Sequence, residues 1–166
     1  MRISCLQENL SQGLSVVQRA VATRTPLPIT QNVHLSTDNH RLKLAATNLE
    51  IAISTWVPGQ VEEEGAITIP ARLVTEFVNS LPQDPINIAM VQQPLGLELS
   101  CGRFDAHING QDANDFPPIP TVDTGIIGKI SAAVLKDAIT HVAFAAATED
   151  SRPVLTGVKV EITGDD

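Results

Sequence analysis

The chain has 166 residues, 11 of them basic and 19 acidic, for a net charge of −8. Apolar residues make up 43% and aromatics 3%, with one Trp and no Tyr, which excludes wholesale disorder and suffices for one domain or one plus part of another. The charge excludes a protein that coats nucleic acid with its whole surface, though not one that uses a single face, and the longest apolar run, Val142 to Ala147, is far short of the roughly 18 residues of a membrane span.

Met1-Arg2-Ile3-Ser4-Cys5 opens the chain as a first strand, without the apolar stretch of a signal peptide. Leu10, Leu14, Val17 and Val21 then recur at helical spacing and predict a helix over about 7–22. Strand patterns follow. Leu42, Leu44 and Ala46 alternate with their neighbours, as do Ile51, Ile53, Thr55 and Val57. The same holds for Ile86, Ile88 and Met90, for Leu95, Leu97 and Leu99, and for Phe104, Ala106 and Ile108. A period of two means one buried and one wet face, the pattern of an antiparallel meander. Turn chemistry at Asp38-Asn39, Pro58-Gly59, Glu64-Gly65, Gln93-Pro94 and Cys101-Gly102 separates these runs. A short helix is predicted over 71–80, between Pro70 and Pro82. The proline-rich run Asp115 to Asp123 reads as a linker with a domain boundary near 120–125. A third helix runs from the N-cap candidate Ser131 to about Ala147. The fold class is α+β.

Part of the pattern occurs twice. A shift of 125 places Leu10, Leu14, Val17 and Val21 on Leu135, Ile139, Val142 and Ala146, and Pro28, Val33 and Leu35 on Pro153, Val158 and Val160. Helix stripe, loop proline and following strand share one register, so a second copy of a unit of about 125 residues begins after the linker. Repeated units stack to bury their faces, and only the opening of the second lies in this chain. The expectation is a piece of something longer.

Specific strings give the repeat a context. They are Arg24 with Thr25-Pro26-Leu27-Pro28-Ile29, Thr47-Asn48-Leu49-Glu50-Ile51, Ile69-Pro70-Ala71-Arg72, Gly110-Gln111-Asp112-Ala113-Asn114-Asp115-Phe116-Pro117, and Asp150-Ser151-Arg152-Pro153-Val154-Leu155-Thr156-Gly157-Val158. In this order and at these intervals the chain resembles the bacterial DNA sliding clamps, the beta subunit of DNA polymerase III. The resemblance covers the family's first domain, residues 1–122, and the start of its second, 123–166, with no counterpart of the third. It implies the clamp fold, with antiparallel sheets outside, helices packed on one face, and repeated domains. It also implies a non-catalytic processivity factor: a homodimeric ring that encircles duplex DNA without regard to sequence and tethers the replicative polymerase. The implied partners are DNA, the polymerase III alpha subunit, the clamp loader and other proteins carrying a clamp-binding motif, in the cytoplasm.

The resemblance also assigns residues. Arg24 matches a DNA-contacting arginine, while Arg19, Lys136 and Arg152 lie in or near equivalent regions. Gln12 departs from the family, where some members place a basic residue. Arg152 and Leu155 match the first part of the partner-peptide pocket. Leu73 and the strand Arg103, Phe104, Ala106 and Ile108 match the edge through which the ring closes, an exposed edge being a liability unless paired. The windows 6–24, 71–80 and 129–148 carry a net charge of +2 while the remainder carries −10, the sign expected of helices facing a polyanion.

Other chemistries find little support. Cys5 and Cys101 stand 96 residues apart, which suits neither a disulfide framework nor a zinc ribbon and points to a reducing compartment. They also show no pairing with His34, His40, His107 or His141 that would mark a nucleophile. The histidines lack metal-ligand spacing, Glu62-Glu63-Glu64 is a solvated turn, and no glycine loop cradles phosphate, so neither metal nor cofactor is expected. The competing reading is a β-rich protein-interaction domain of the same repeated architecture that does not touch DNA.

Overall fold

The computed structural model describes residues 1–119, 128–149 and 151–161 and divides the chain into two compact units, Met1–Pro120 and Thr121–Asp166. The expected boundary at 120–125 falls on residues outside those described.

The first unit contains β1 (Arg2–Leu6), α1 (Gln7–Val17), β2 (Asn32–Asp38), β3 (Arg41–Thr47), β4 (Ala52–Val57), β5 (Gln60–Glu63), β6 (Ala66–Pro70), α2 (Ala71–Ser80), β7 (Pro85–Gln92), β8 (Leu95–Cys101) and β9 (Phe104–Asn109). Every strand pairing is antiparallel. The strands form one five-stranded sheet, β5-β1-β7-β8-β9, and one four-stranded sheet, β4-β3-β2-β6. Strands β5 and β6 are too short for alternation to announce them. A bridge between Thr68 and Gln111 ties β6 to the chain just beyond β9 and so links the two sheets.

The alternating residues supply one core. Ile3, Leu35, Leu42, Leu44, Ile67, Ile69, Ile86, Ile88, Leu97 and Leu99 are fully buried, together with Leu10, Leu14 and Val17 of α1 and Val74 and Val78 of α2. Each such side chain contributes roughly 1.5–3 kcal/mol relative to exposure. Helix α1 lies against β3 and β4 because Gly13 leaves room: a Cβ there would stand 2.7 Å from Val57 Cγ2 and 3.0 Å from Leu44 Cδ1. The two helices are joined by Gln7 Nε2 donating to the Val78 carbonyl at 2.8 Å and by Ser11 Oγ donating to Asn79 Oδ1 at 2.7 Å.

Some sequence expectations for the first unit need correction. The first helix ends at Val17 and tightens into a 3-10 turn over Gln18–Ala20 instead of running to 22. Ile51 is exposed and precedes β4, since Asn48 Oδ1 accepts from the amides of Glu50 and Ile51 and holds them in a turn. The supposed linker begins as packed structure: the 3-10 turn Ala113–Asp115 leads into it, and Phe116, only 8% exposed, packs against His34 with ring centroids 5.4 Å apart and planes tilted by 42°.

The second unit contains α3 (Ala132–Ala143) and a 3-10 turn at Pro153–Thr156. Ser131 occupies the N-cap but makes no side-chain capping bond; its carbonyl accepts from the Leu135 amide at 3.0 Å. The strand expected through Val158 and Val160 is absent among the described residues, where no second strand offers its backbone a ladder partner. The 125-residue register reappears in the backbone. In the first unit the Val21 amide donates to Gln18 O, Ala22 to Thr30 O, and Thr30 to Leu27 O. In the second, Ala146 donates to Ala143 O, Ala147 to Leu155 O, and Leu155 to Arg152 O. The 3-10 turn Pro28–Gln31 likewise maps onto Pro153–Thr156.

Candidate nucleic-acid interface

The 3-10 turn after α1 sets Arg19 on its exposed side. Arg24 follows on a short loop whose ends are fastened. The Ala22 amide donates to Thr30 O at 3.1 Å, and Thr25 Oγ1 accepts from the Leu27 amide at 3.0 Å. Thr30 Oγ1 donates to Leu27 O at 2.8 Å. The fastening limits the ordering entropy that Arg24 loses on meeting a ligand. Neither Arg19 nor Arg24 has a carboxylate within 4.0 Å among the described residues. Arg72, by contrast, is held by Glu76 at 2.7 Å, and Arg2 lies near Glu62 and Glu63.

The positive charge of the three helical windows therefore sits mainly in their flanks. The helices themselves hold Glu8, Arg72, Glu76, Lys136 and Asp137, a net of −1. Arg19, Arg24 and Lys129 supply the excess in the adjoining segments. In the second unit Lys136 is exposed on α3, and Arg152 is exposed directly before the 3-10 turn. Leu155 joins Val142, Ala146 and Val158 in lining an apolar groove of about 330 Å³, whereas Arg152 does not line it.

Strand β9 is an edge of the five-stranded sheet. Leu73 of α2, Ala106 and Ile108 line one groove of about 370 Å³ with Pro70 and Phe77. Phe104 is exposed near the start of this edge, with the Arg103 guanidinium 5.4 Å from its ring centroid. Ile108 corrects the expectation of an exposed apolar edge. It is 7% exposed, because the apolar face of β9 turns inward toward its C-terminal end.

Burial holds the Cys5 thiol protonated, pushing its pKa to about 11, the reverse of what a nucleophile requires. His34 is pushed down by burial and then by the charge of Lys43. Among the described residues no group of three or more His, Cys, Asp or Glu could hold a metal.

A further cluster escaped the sequence reading. Trp56 donates its indole N–H to Asp38 Oδ2 at 2.7 Å, with Arg41 Cζ at 5.8 Å and Lys43 Nζ at 5.4 Å from its ring. The available signal was the single Trp in an alternating strand, opposite a strand carrying two cations.

The family model for the DNA polymerase III beta subunit N-terminal domain matches residues 1–120, and that for its central domain matches 129–166. The chain belongs to the DNA polymerase III beta subunit family. A beta sliding clamp of Synechocystis sp. is 36% identical over 99% of this chain and 44% of its own length, and one of Bacillus subtilis is 26% identical over 98% and 45%. Among solved structures, a putative DNA polymerase III beta subunit from Eubacterium rectale superposes with a TM-score of 0.88 at 30% identity, covering 95% of this chain and 43% of that one. A DNA polymerase III subunit beta from Bartonella birtlesii bound to griselimycin gives 0.86 at 29% identity, covering 99% and 44%. The chain thus spans less than half the length of these beta subunits, and its α+β clamp fold agrees with theirs. No helix among the described residues is long and apolar enough to cross a membrane.

Proposed function

We propose that this chain is the first domain, residues 1–122, and the beginning of the second, 123–166, of a DNA sliding clamp. The clamp is a non-catalytic, cytoplasmic processivity factor: a homodimeric ring that surrounds duplex DNA and tethers the replicative polymerase. The observation that carries this reading is the pair of domain matches in family order, on a chain whose backbone hydrogen bonds recur at 125 residues.

Sliding needs contacts that are weak and indifferent to base sequence, which arginines and lysines reaching phosphates provide. Arg24 and Arg19 in the first domain and Lys136 and Arg152 in the second are the proposed contacts. The α2–β9 groove with Leu73, Ala106 and Ile108, extended by Arg103 and Phe104, is the proposed surface for ring closure. Its apolar lining and open strand edge support that assignment. Leu155 and Arg152 are proposed as part of the pocket for the polymerase alpha subunit, the clamp loader and other clamp-binding peptides. Topological linkage is the test. A chain extended to the length of its relatives and loaded on nicked circular DNA stays bound in high salt and leaves when the circle is cut. Release by salt alone, with the circle intact, rejects encirclement.

A further inference from the structure

The face of the four-stranded sheet turned away from α1 carries an exposed aromatic beside cations. Thr55 and Val57 face α1, as their contacts at Gly13 show, so strand alternation turns Trp56 to the opposite side. Trp56 pairs with Lys43, and Lys43 with Ser36. An exposed aromatic, a cation and a small polar residue therefore form one row. One step along the same face, Ala45 and His34 form the next row, and residues 113–119 wall it. Between sheet and wall lies a cavity of about 240 Å³ lined by His34, Ser36, Lys43, Ala45, Phe116 and Pro117, among others.

The wall is anchored. Gln111 exchanges backbone hydrogen bonds with Thr68 at 2.8 and 3.1 Å, and Gln111 Oε1 accepts from Asn32 Nδ2 at 3.1 Å. Trp56 is 41% exposed but fixed in orientation, since its only polar atom is committed to Asp38. Arg41 and Lys43 lie over part of its ring, 5.8 and 5.4 Å from the centroid, and the exposed remainder of the ring borders both cations.

Charge selects the kind of ligand. The strands of this sheet carry Arg41 and Lys43 against Asp38, a net of +1. Those of the other sheet carry Arg2 against Glu62, Glu63, Glu98 and Asp105, a net of −3. On a chain of −8, an anion is favoured on the four-stranded face. A fixed aromatic beside two cations and a small walled cavity suits a chain that alternates planar groups with phosphates.

We propose that this face binds single-stranded nucleic acid. One base stacks on Trp56, the phosphates lie against Lys43 and Arg41, and a neighbouring base enters the cavity beside His34 and Phe116. This goes beyond duplex encirclement and does not depend on it.

Trp56 reports directly, because it is the only Trp and there is no Tyr. Titrating the 166-residue chain with dT12 at low salt should quench its emission, with affinity falling against log salt at a slope of about −1.4 for two phosphates. Lys43→Ala should halve that slope, whereas Arg72→Ala, at a cation already held by Glu76, should leave the quenching unchanged. With end-labelled dT12 read by anisotropy, Trp56→Leu should weaken binding at least ~5-fold while the circular dichroism spectrum stays native. A parallel series with rU12 separates RNA from DNA as the natural strand, and binding of either supports the site. Absence of quenching by both oligomers overturns the proposal. So does equal quenching by polyglutamate, which would mark a site for acidic peptide, or an Arg72→Ala effect as large as that of Lys43→Ala.

Discussion

A buried thiol shows how local environment sets chemistry at the scale of one residue. Cys5 ends in the core beside Gly59, and burial alone raises its pKa from 9.0 to about 11. A folded-state pKa above the unfolded one means that the folded chain keeps its proton longer. The stabilisation is complete below pH 9 and is lost as pH rises from 9 through about 11. Urea denaturation across this range should show wild type losing up to ~2–3 kcal/mol more than Cys5→Ala. Parallel curves would place Cys5 in a wetter site. The residue's identity could be read from the sequence, but its environment could not. Cys5 looks like any strand residue until β1 is placed between β5 and β7.

Elements that share a sequence pattern need not share a fate. Leu14 and Ile139 occupy the same position in the 125-residue register, yet Leu14 is 1% exposed and Ile139 44%. Leu14→Ala should therefore cost about 3 kcal/mol in chemical denaturation of this chain, and Ile139→Ala less than about 1. Equal losses would mean that the apolar stripe of α3 is as well covered as that of α1. Strand β9 has a different constraint. A Cβ at Gly96 would stand 2.5 Å from the Ile108 carbonyl oxygen, a backbone atom that cannot rotate away. Gly96→Ala should push β9 from β8 and lower stability by about 2 kcal/mol or more, seen as a fall in urea midpoint. An unchanged midpoint would show that the pairing is looser than the 2.5 Å contact implies. Alternation identified β9 as a strand with an inner and an outer face. That Ile108 is covered while Phe104 is not depends on how the groove with α2 closes over one end.

Across the whole chain, the repeat offers a comparison of charges at matching positions. Arg24 maps onto Glu149, an exposed residue in the corresponding loop of the second unit, so the two units present opposite charges there. If both loops face the duplex, Glu149→Arg should tighten duplex binding and steepen its log–log salt dependence by about 0.9. An unaltered slope in anisotropy titrations would remove the second loop from the interface. The helices themselves carry −1, so the proposed attraction to phosphate would rest on the turns beside them.

Alternation and helical spacing determined most of the strands, the first and third helices and the 125-residue register, because each depends on which face of a local element is apolar, while flanking prolines marked the second helix. The family strings, together with the register, determined the functional reading. Tertiary structure alone decided which cations lack carboxylate neighbours, that Phe116 packs against His34 in a supposed linker, and that Trp56, Lys43, Arg41 and Asp38 share one face. Those facts depend on pairings between segments distant in sequence. Such pairings follow from how sheets and helices pack together, which no local period encodes.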